Sequence, residues 1–309
     1  MNKTYLITGG MGFIGQSVAN LLLKLNNKVI ILDNNFRNKD IKLVNKNITY
    51  LKYDIRNLTK LMNIRKKIDS VIHLAFINGT NYFYEKPELV LDVGVKGILN
   101  ILDFCKNKKI KEIFLASSSE VYQDPPYFPT DEKVPLSIPN PHDPRYSYSS
   151  GKIISEILIL NSTIFKKAII FRPHNIYGPN MGYNHVIPEL IMKFKNSKEF
   201  INIQGNGKNT RSFCYIDDFV KGFNCILEKG RHLNIYNIGN NHEISINKLT
   251  KLIKKKMNSK AKILKSGNLN NKNAVRRLPD LKKIKKIGYS PSISLDIGLD
   301  KTIQWYKKN

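Results

Sequence analysis

A short apolar strand, Tyr5-Leu6-Ile7, runs directly into Thr8-Gly9-Gly10-Met11-Gly12-Phe13-Ile14-Gly15, and Phe13 to Leu25 then reads as a helix. Gly9, Gly12 and Gly15 recur every three residues. Glycines at that spacing let the backbone turn tightly and approach a pyrophosphate, which then sits on the helix N-terminus. A glycine motif by itself is weak, and a turn that binds nothing is the plain alternative. The strand–turn–helix context is what makes the motif specific. Asp33 adds to it, closing a second strand, Val29-Ile30-Ile31-Leu32, 18 residues after Gly15. A carboxylate there accepts from both ribose hydroxyls of an adenosine and repels a 2′-phosphate, which favours NAD over NADP. Arg37 weakens that preference slightly. The expected cofactor site comprises Gly9, Gly12, Phe13, Ile14, Gly15, Asp33 and the adjoining Asn34.

The alternation continues. Ile48 to Tyr53, Val71-Ile72-His73-Leu74, Ile113-Phe114-Leu115-Ala116 and Ala168 to Phe171 read as further strands, with a long helical pattern over Pro87 to Lys106. Short, continuous apolar strands are those covered on both faces. Repeated β–α alternation predicts an α/β fold, a Rossmann-type doubly wound parallel sheet. After residue 172 the pattern breaks into loops and short elements, marked by Pro173, Gly178, Pro179 and Gly182. We therefore expect an NAD-binding domain over 1–172, with part of 209–238 returning to it. A smaller, interleaved C-terminal substrate domain is expected over 173–208 and 239–309. Asp54 and Ile55 end the third strand, where they would reach an adenine edge; a helix cap ahead of Leu58 is the other reading of Asp54. Leu74 and Ala75 close the fourth strand at the rim where a cofactor lies. His73, beside them, reads as a packed, hydrogen-bonded histidine.

Lys and Arg number 51 against 24 Asp and Glu, a net charge of +27. Such a balance raises nucleic acid and anionic membranes as partners. Residues 251 to 309 hold 17 of the basic residues, but these lie mostly on polar faces between apolar positions, as in Leu252-Ile253-Lys254-Lys255-Lys256-Met257. No aromatic–basic interleaving accompanies them, so we read a solvated face and expect neither nucleic acid nor membrane as partner. No apolar run approaches the ~18 residues of a membrane span. Cys105, Cys214 and Cys225 form no CxxC pair, and the start shows no secretory pattern, so a cytoplasmic location is expected. The six histidines show no ligand spacing, so no metal site is expected.

Tyr148-Ser149-Ser150-Gly151-Lys152 opens a helical segment, and residues four apart share a helical face. An ammonium beside a phenol favours the phenolate, as would the positive nicotinamide of NAD. Bringing a tyrosine from ~10 to ~7 takes about 4 kcal/mol of differential stabilisation. Tyr148 would then be a general base near neutral pH. The pair gains meaning from Ser117-Ser118-Ser119-Glu120-Val121-Tyr122 at the end of the fifth strand, where a hydroxyl would share the substrate's proton with the tyrosine.

With these segments in view the chain resembles the extended short-chain dehydrogenase/reductase family, in its nucleotide-sugar epimerase/dehydratase branch. The resemblance runs over nearly the whole chain: TGGMGFIG, Asp33, DIR at 54–56, HLA at 73–75, SSSEVY, YSSGK, RPHNIYGP at 172–179, TRSFCYIDD at 210–218 and RRLPD at 276–280. It implies a bound NAD that removes a hydride from a sugar carbon, usually C4, leaving a 4-keto intermediate. The matching residues imply Tyr148 as base, Ser118 as its hydroxyl partner and Lys152 on the nicotinamide ribose. On the same basis Asn175 contacts the nucleotide sugar, the segment from Val186 to Pro188 is the nucleotide-binding loop, and Arg211 and Arg277 bind the diphosphate. A planar bidentate donor suits a diphosphate; surface ion pairing is the alternative for both arginines. The family's dimer contact, through the helix over 87–106 and the Tyr-Lys helix, implies a homodimer.

The chain also departs from the family pattern. Where HLAA is usual it has Phe76, and Gly94 stands at a position usually asparagine. Gln123 follows Val121-Tyr122, and RxFN reads Arg172-Pro173-His174-Asn175. His174 and the run Tyr82-Phe83-Tyr84 are placed to line an altered sugar pocket, with core packing equally open for the aromatics. Three reactions share the first hydride step. A UDP-sugar 4-epimerase needs only Tyr148, Ser118 and room for the keto-sugar to turn over. A GDP-mannose-type 4,6-dehydratase also needs an acid/base at C5 and C6, for which Glu120 is the candidate; a glutamate bound to nearby backbone amides is the other reading. Ser119 speaks against the dTDP-glucose type, which has an Asp-Glu pair. A UDP-glucuronate decarboxylase is implied by Ser-Glu-Val-Tyr and RSFCY. Length and the segment at Val186 lean toward the epimerase. A regulator that binds NAD without turnover is the remote alternative.

Overall fold

The computed structural model describes residues 2–37, 43–266 and 276–309. The chain clusters into two compact units, residues 1–122, 136–172 and 223–236 in the first and 123–135, 173–222 and 237–309 in the second.

The first unit is built on β1 (Thr4–Thr8), α1 (Phe13–Lys24), β2 (Lys28–Leu32), β3 (Ile48–Leu51), α2 (Leu58–Met62), β4 (Ser70–His73), α3 (Thr80–Glu85), α4 (Pro87–Leu91), α5 (Gly97–Asn107), β5 (Glu112–Ala116), α6 (Ser147–Leu160) and β6 (Lys167–Pro173). The expected long helix over Pro87 to Lys106 is interrupted by a π-helical turn, Asp92–Lys96, joining α4 to α5. The expected third strand stops two residues early, at Leu51.

The second unit carries β7 (Ile176–Tyr177), α7 (Val186–Asn196), β8 (Phe200–Gln204), β9 (Thr210–Ser212) and β10 (Cys214–Tyr215). Helix α8 (Ile216–Lys229) and β11 (Asn234–Ile238) carry the chain through the first unit and back. Then follow β12 (Glu243–Ser245), α9 (Ile246–Met257), β13 (Lys262–Ser266), β14 (Arg276–Arg277), α10 (Lys282–Lys285) and α11 (Leu295–Lys308).

Seven strands form the central sheet in the order β11-β6-β5-β4-β1-β2-β3. The pairs β3–β2, β2–β1, β1–β4, β4–β5 and β5–β6 are parallel. This is the doubly wound α/β arrangement, and the strand order reverses between β1 and β4, where such sheets open a crevice at their C-terminal ends. β4 and β5 are buried at every position, which is why they read as unbroken apolar runs. Leu6, Val71, Ile113 and Leu115 of the strands and Ile98, Ile101 and Phe104 of α5 belong to one core cluster.

In the second unit α7, α9 and α11 pack on one another, beside the small sheets β13–β8, β10–β7 and β12–β9–β14. Residues 223–236, part of the stretch 209–238 expected to return, lie in the first unit. The division differs from the boundaries read from sequence in one earlier segment. Residues 123–135 belong to the second unit because long-range backbone pairing holds them there: Thr130 N–H donates to Leu278 O at 2.8 Å and Asp280 N–H to Thr130 O at 2.8 Å. No local pattern announces such a pairing.

Candidate active site

The glycine loop follows β1. Gly9 has φ +68°, and a Cβ there would lie 2.8 Å from the Ala75 backbone N. A Cβ on Gly15 would lie 2.6 Å from Gly10 Cα. The loop therefore packs so closely on Leu74-Ala75 and on the first turn of α1 that only glycine fits. α1 starts at Gly12 with no side-chain cap, so its first N–H groups face outward for an acceptor. Asp33, at the end of β2, is half-buried. It accepts from Met11 N–H at 3.0 Å and Asn35 N–H at 2.8 Å, and burial raises its pKa. A carboxylate offers about four lone-pair sites, so acceptor capacity remains for ribose hydroxyls. A glycine cradle, an uncapped helix start and an acidic strand end together fit a dinucleotide.

The neighbouring expectations resolve differently. Asp54 is gripped by Arg56, whose Nε and Nη2 donate at 2.9 and 2.7 Å, and by Asn34 Nδ2 at 3.0 Å. The Arg56 fork holds its pKa down to about 2. The cap of α2 is Asn57, which accepts from Lys60 N–H, so the cap reading of Asp54 does not hold. The side chain of Ile55 is core, and its carbonyl accepts from Asn100 Nδ2 at 2.9 Å. His73 is buried, its Nδ1 2.7 Å from Thr8 Oγ1, and burial lowers its pKa to about 3, which leaves it neutral. Sequence reasoning did not single out Thr8 or Asn100: Thr8 opens the quoted glycine segment and Asn100 lies in the helical stretch 87–106, but their partners lie 65 and 45 residues away.

Tyr148 and Lys152 occupy successive turns at the start of α6, and both are buried. Tyr148 is hydrogen-bonded to Ser118 at the end of β5. Its ring stacks on Phe83 at 5.1 Å and meets Phe76 edge-on at 5.0 Å. Lys152 Nζ donates to Ala116 O at 2.6 Å. The expectation that Lys152 brings the phenol near neutrality is not met by the protein groups. Burial pushes Tyr148 up to about 12, outweighing Ser118 and Arg37. Burial also lowers Lys152 to about 7. Desolvation disfavours each charged form more than the neighbours favour it. Glu120 stands two residues past Ser118, its N–H donating to Ser118 Oγ at 3.2 Å. Its carboxylate is 3.8 Å from Arg145 Nη2, so a guanidinium faces it. In the aromatic run Phe83 is buried, Tyr82 meets Phe36 at 5.6 Å, and Tyr84 is exposed.

In the second unit, Asn175 adopts φ +44° and its Nδ2 donates to Ser212 O at 3.1 Å. β14 runs parallel to β9 with Arg277 in register with Arg211. Arg211 Nη1 donates to Thr210 O, and buried Arg277 donates to Gln123 O, both at 2.7 Å. Arg276 pairs with Glu243 at 2.8 Å, and the charge of Arg211 also acts on that carboxylate. Val186 begins α7 and is exposed. His174 is buried, with Nε2 3.0 Å from Asn237 Oδ1. Among the described residues no group of three or more metal-binding side chains occurs, and no helix is long and apolar enough to cross a membrane.

A family model described as the NAD dependent epimerase/dehydratase family matches residues 5–239. The chain belongs to that family of enzymes, and its cofactor is NAD. It is 36% identical over 259 residues to a dTDP-D-glucose 4,6-dehydratase of Dictyostelium discoideum, a match covering 78% of the chain and 59% of that protein's length. It is 31% identical to the UDP-N-acetyl-alpha-D-glucosaminuronate decarboxylase of Bacillus cytotoxicus, covering 100% of the chain and 99% of the relative. Among solved structures, the UDP-glucose 4-epimerase of Thermotoga maritima with UDP-glucose superposes with a TM-score of 0.88 at 25% identity, covering 99% of each chain.

Proposed function

We propose that the chain modifies a nucleotide-diphosphate sugar through C4 oxidation to a 4-keto intermediate, and that it is a UDP-sugar 4-epimerase. The observation that carries this reading is the contrast between Tyr148 and Glu120. Tyr148 is hydrogen-bonded to Ser118 with Lys152 one turn on, which is all that C4 chemistry asks of the protein. Glu120, the candidate acid/base for dehydration, has its carboxylate 3.8 Å from Arg145 Nη2, engaged with a guanidinium of the protein.

In this mechanism Tyr148 takes the proton of the C4 hydroxyl while Ser118 shares its hydrogen bond. The same phenol returns the proton when the keto group is reduced. When bound, NAD supplies a hydride acceptor and donor and a positive charge near the site. Gly9, Gly12, Phe13, Ile14, Gly15, Asp33, Asn34, Leu74 and Ala75 are the residues proposed to hold it, with Lys152 on its nicotinamide ribose. Backbone groups at Asp54 and Ile55 complete the adenine side. Asn175, Val186, Arg211 and Arg277 are proposed to bind the nucleotide diphosphate. Arg211 and Arg277 stand in register on the paired strands β9 and β14, which places two guanidinium-bearing residues side by side and supports that assignment.

A second reading, decarboxylation of a UDP-uronate, is favoured by the Bacillus cytotoxicus relative, which matches end to end. The test is incubation with UDP-glucose, UDP-N-acetylglucosamine, UDP-glucuronate and GDP-mannose, read by product mass and sugar proton NMR. Unchanged mass with an inverted C4 proton is the expected result. Loss of CO2 establishes the second reading, and loss of water makes Glu120 an acid/base after all.

We also propose a homodimer. Leu99 on α5, and Ile154 and Ile157 on α6, are exposed apolar residues on the two helices expected to form the contact. Light scattering at micromolar concentration is expected to give the dimer mass, and Ile157→Asp the monomer mass. A wild-type monomer mass would end the idea.

A further inference from the structure

The two departures from the family pattern on the cofactor side of the sequence, Phe76 and Gly94, meet in space. A Cβ built on Gly94 would overlap Phe76 Cζ and lie 2.5 Å from Cε2. A Cβ on Gly151 would lie 2.7 Å from the same Cζ. The ring therefore enters a slot between two glycines. One is in the π-helical turn joining α4 to α5, and the other is on α6 between Tyr148 and Lys152. π-Helical turns recur at functional sites because they alter which groups a helix presents. A residue with any side chain at 94 would push the ring out, and without the ring a bare glycine there would leave a void.

The ring has two neighbours of consequence. Lys152 Nζ lies over it at 4.3 Å from the centroid, and the Tyr148 ring meets it at 79°. An ammonium over an aromatic face is attracted by the ring quadrupole, and more strongly when desolvated. Around Lys152 the other groups are Ala116 O from β5, which accepts a hydrogen bond, the Glu156 carboxylate from α6, neutral His73 from β4 and the Tyr148 phenol. Burial disfavours the Lys152 charge, and the ring face opposes that effect with no polar atom of its own.

We propose that Phe76 is a positioning residue, locked by the Gly94–Gly151 slot, which holds the Lys152 ammonium beside Tyr148. This rests on Tyr148 and Lys152 acting together as in the proposed function. Phe76 need not touch the sugar to act.

The test titrates Lys152 directly by NMR in protein carrying ¹³Cε- and ¹⁵Nζ-labelled lysine, its signal assigned by loss in Lys152→Arg. Phe76→Leu keeps much of the volume and removes the ring face. The expected result is a Lys152 pKa lower by about one, the size of a desolvated cation–π contact. Phe76→Met serves if the leucine variant does not fold. Gly94→Ala is expected to shift the same titration, and Phe76→Leu is expected to remove that sensitivity. An unmoved Lys152 in both Phe76 variants overturns the proposal. So does an equal response to Gly94→Ala with and without the ring. These readouts need no sugar, so failure of the substrate panel leaves them interpretable.

Discussion

Tyr148→Phe is expected to lower kcat on whichever nucleotide sugar is turned over by roughly 10³-fold, within the range for loss of a general acid/base group. The phenol is the group hydrogen-bonded to Ser118, and its ring is held on both sides by Phe76 and Phe83. Phenylalanine keeps both ring contacts and loses only the hydroxyl, so the fold should survive with a cost of about 1 kcal/mol for one hydrogen bond. Binding of NAD, followed by calorimetry, should be retained, since the glycine loop and Asp33 are untouched. The pattern to look for is a lost kcat with a preserved thermal midpoint and preserved NAD affinity. Turnover at the wild-type rate would remove Tyr148 from the mechanism. The same group bears on pH. Because burial holds its pKa near 12, the phenol of the protein alone stays protonated across the neutral range. Positive charge must therefore be added next to it before it can act as a base there.

The second large effect concerns stability. Arg172 on β6 is 1% exposed and Glu156 on α6 is equally buried. Arg172 Nε donates to Glu156 Oε1 at 2.8 Å, Nη2 to Oε2 at 2.6 Å, and Nη1 to Tyr122 Oη at 2.8 Å. Removing one partner leaves an uncompensated buried charge, which costs about 3–5 kcal/mol. Glu156→Ala is expected to lower the free energy of unfolding by that amount, read from the denaturant midpoint. The paired replacement Glu156→Leu with Arg172→Met should cost much less, because no buried charge is left. Equal losses in the single and paired variants would show that packing, not the stranded guanidinium, sets the effect. Glu156 also lies one turn beyond Lys152, and its charge favours the ammonium. Its loss should therefore disturb the Lys152 titration as well as the fold.

Much of the fold was legible because it rests on local periodicity. Buried parallel strands must be short apolar runs, and the turn from β1 into α1 must be glycine-rich because a Cβ at 9 or 15 strikes backbone. The spacing of Tyr148 and Lys152 likewise places both on one face of α6 without reference to anything distant. What local pattern missed was pairing across the chain. Asp54 reads as a strand-end acid, yet the Arg56 fork and Asn34 take up its carboxylate. Residues 123–135 read as a loop of the first domain, yet their backbone pairs with Leu278 and Asp280.

The chemistry divides in the same way. Which side chains are proposed to carry it is readable from the sequence, since phenol, ammonium, hydroxyl and carboxylate are properties of Tyr148, Lys152, Ser118 and Glu120 themselves. Their states are not. Desolvation depends on everything packed around a group: for Tyr148 it reversed the direction that the spacing suggested, and it lowers Lys152 as well. The ring over Lys152 comes from residue 76 and its slot from residues 94 and 151, so only the folded chain brings them together. The sheet, the glycine-rich turn and the identity of the candidate reactive groups were readable from the sequence because each depends on neighbours along the chain. The tertiary structure alone decided their charge and their company, because burial and contact are set by elements far apart in sequence.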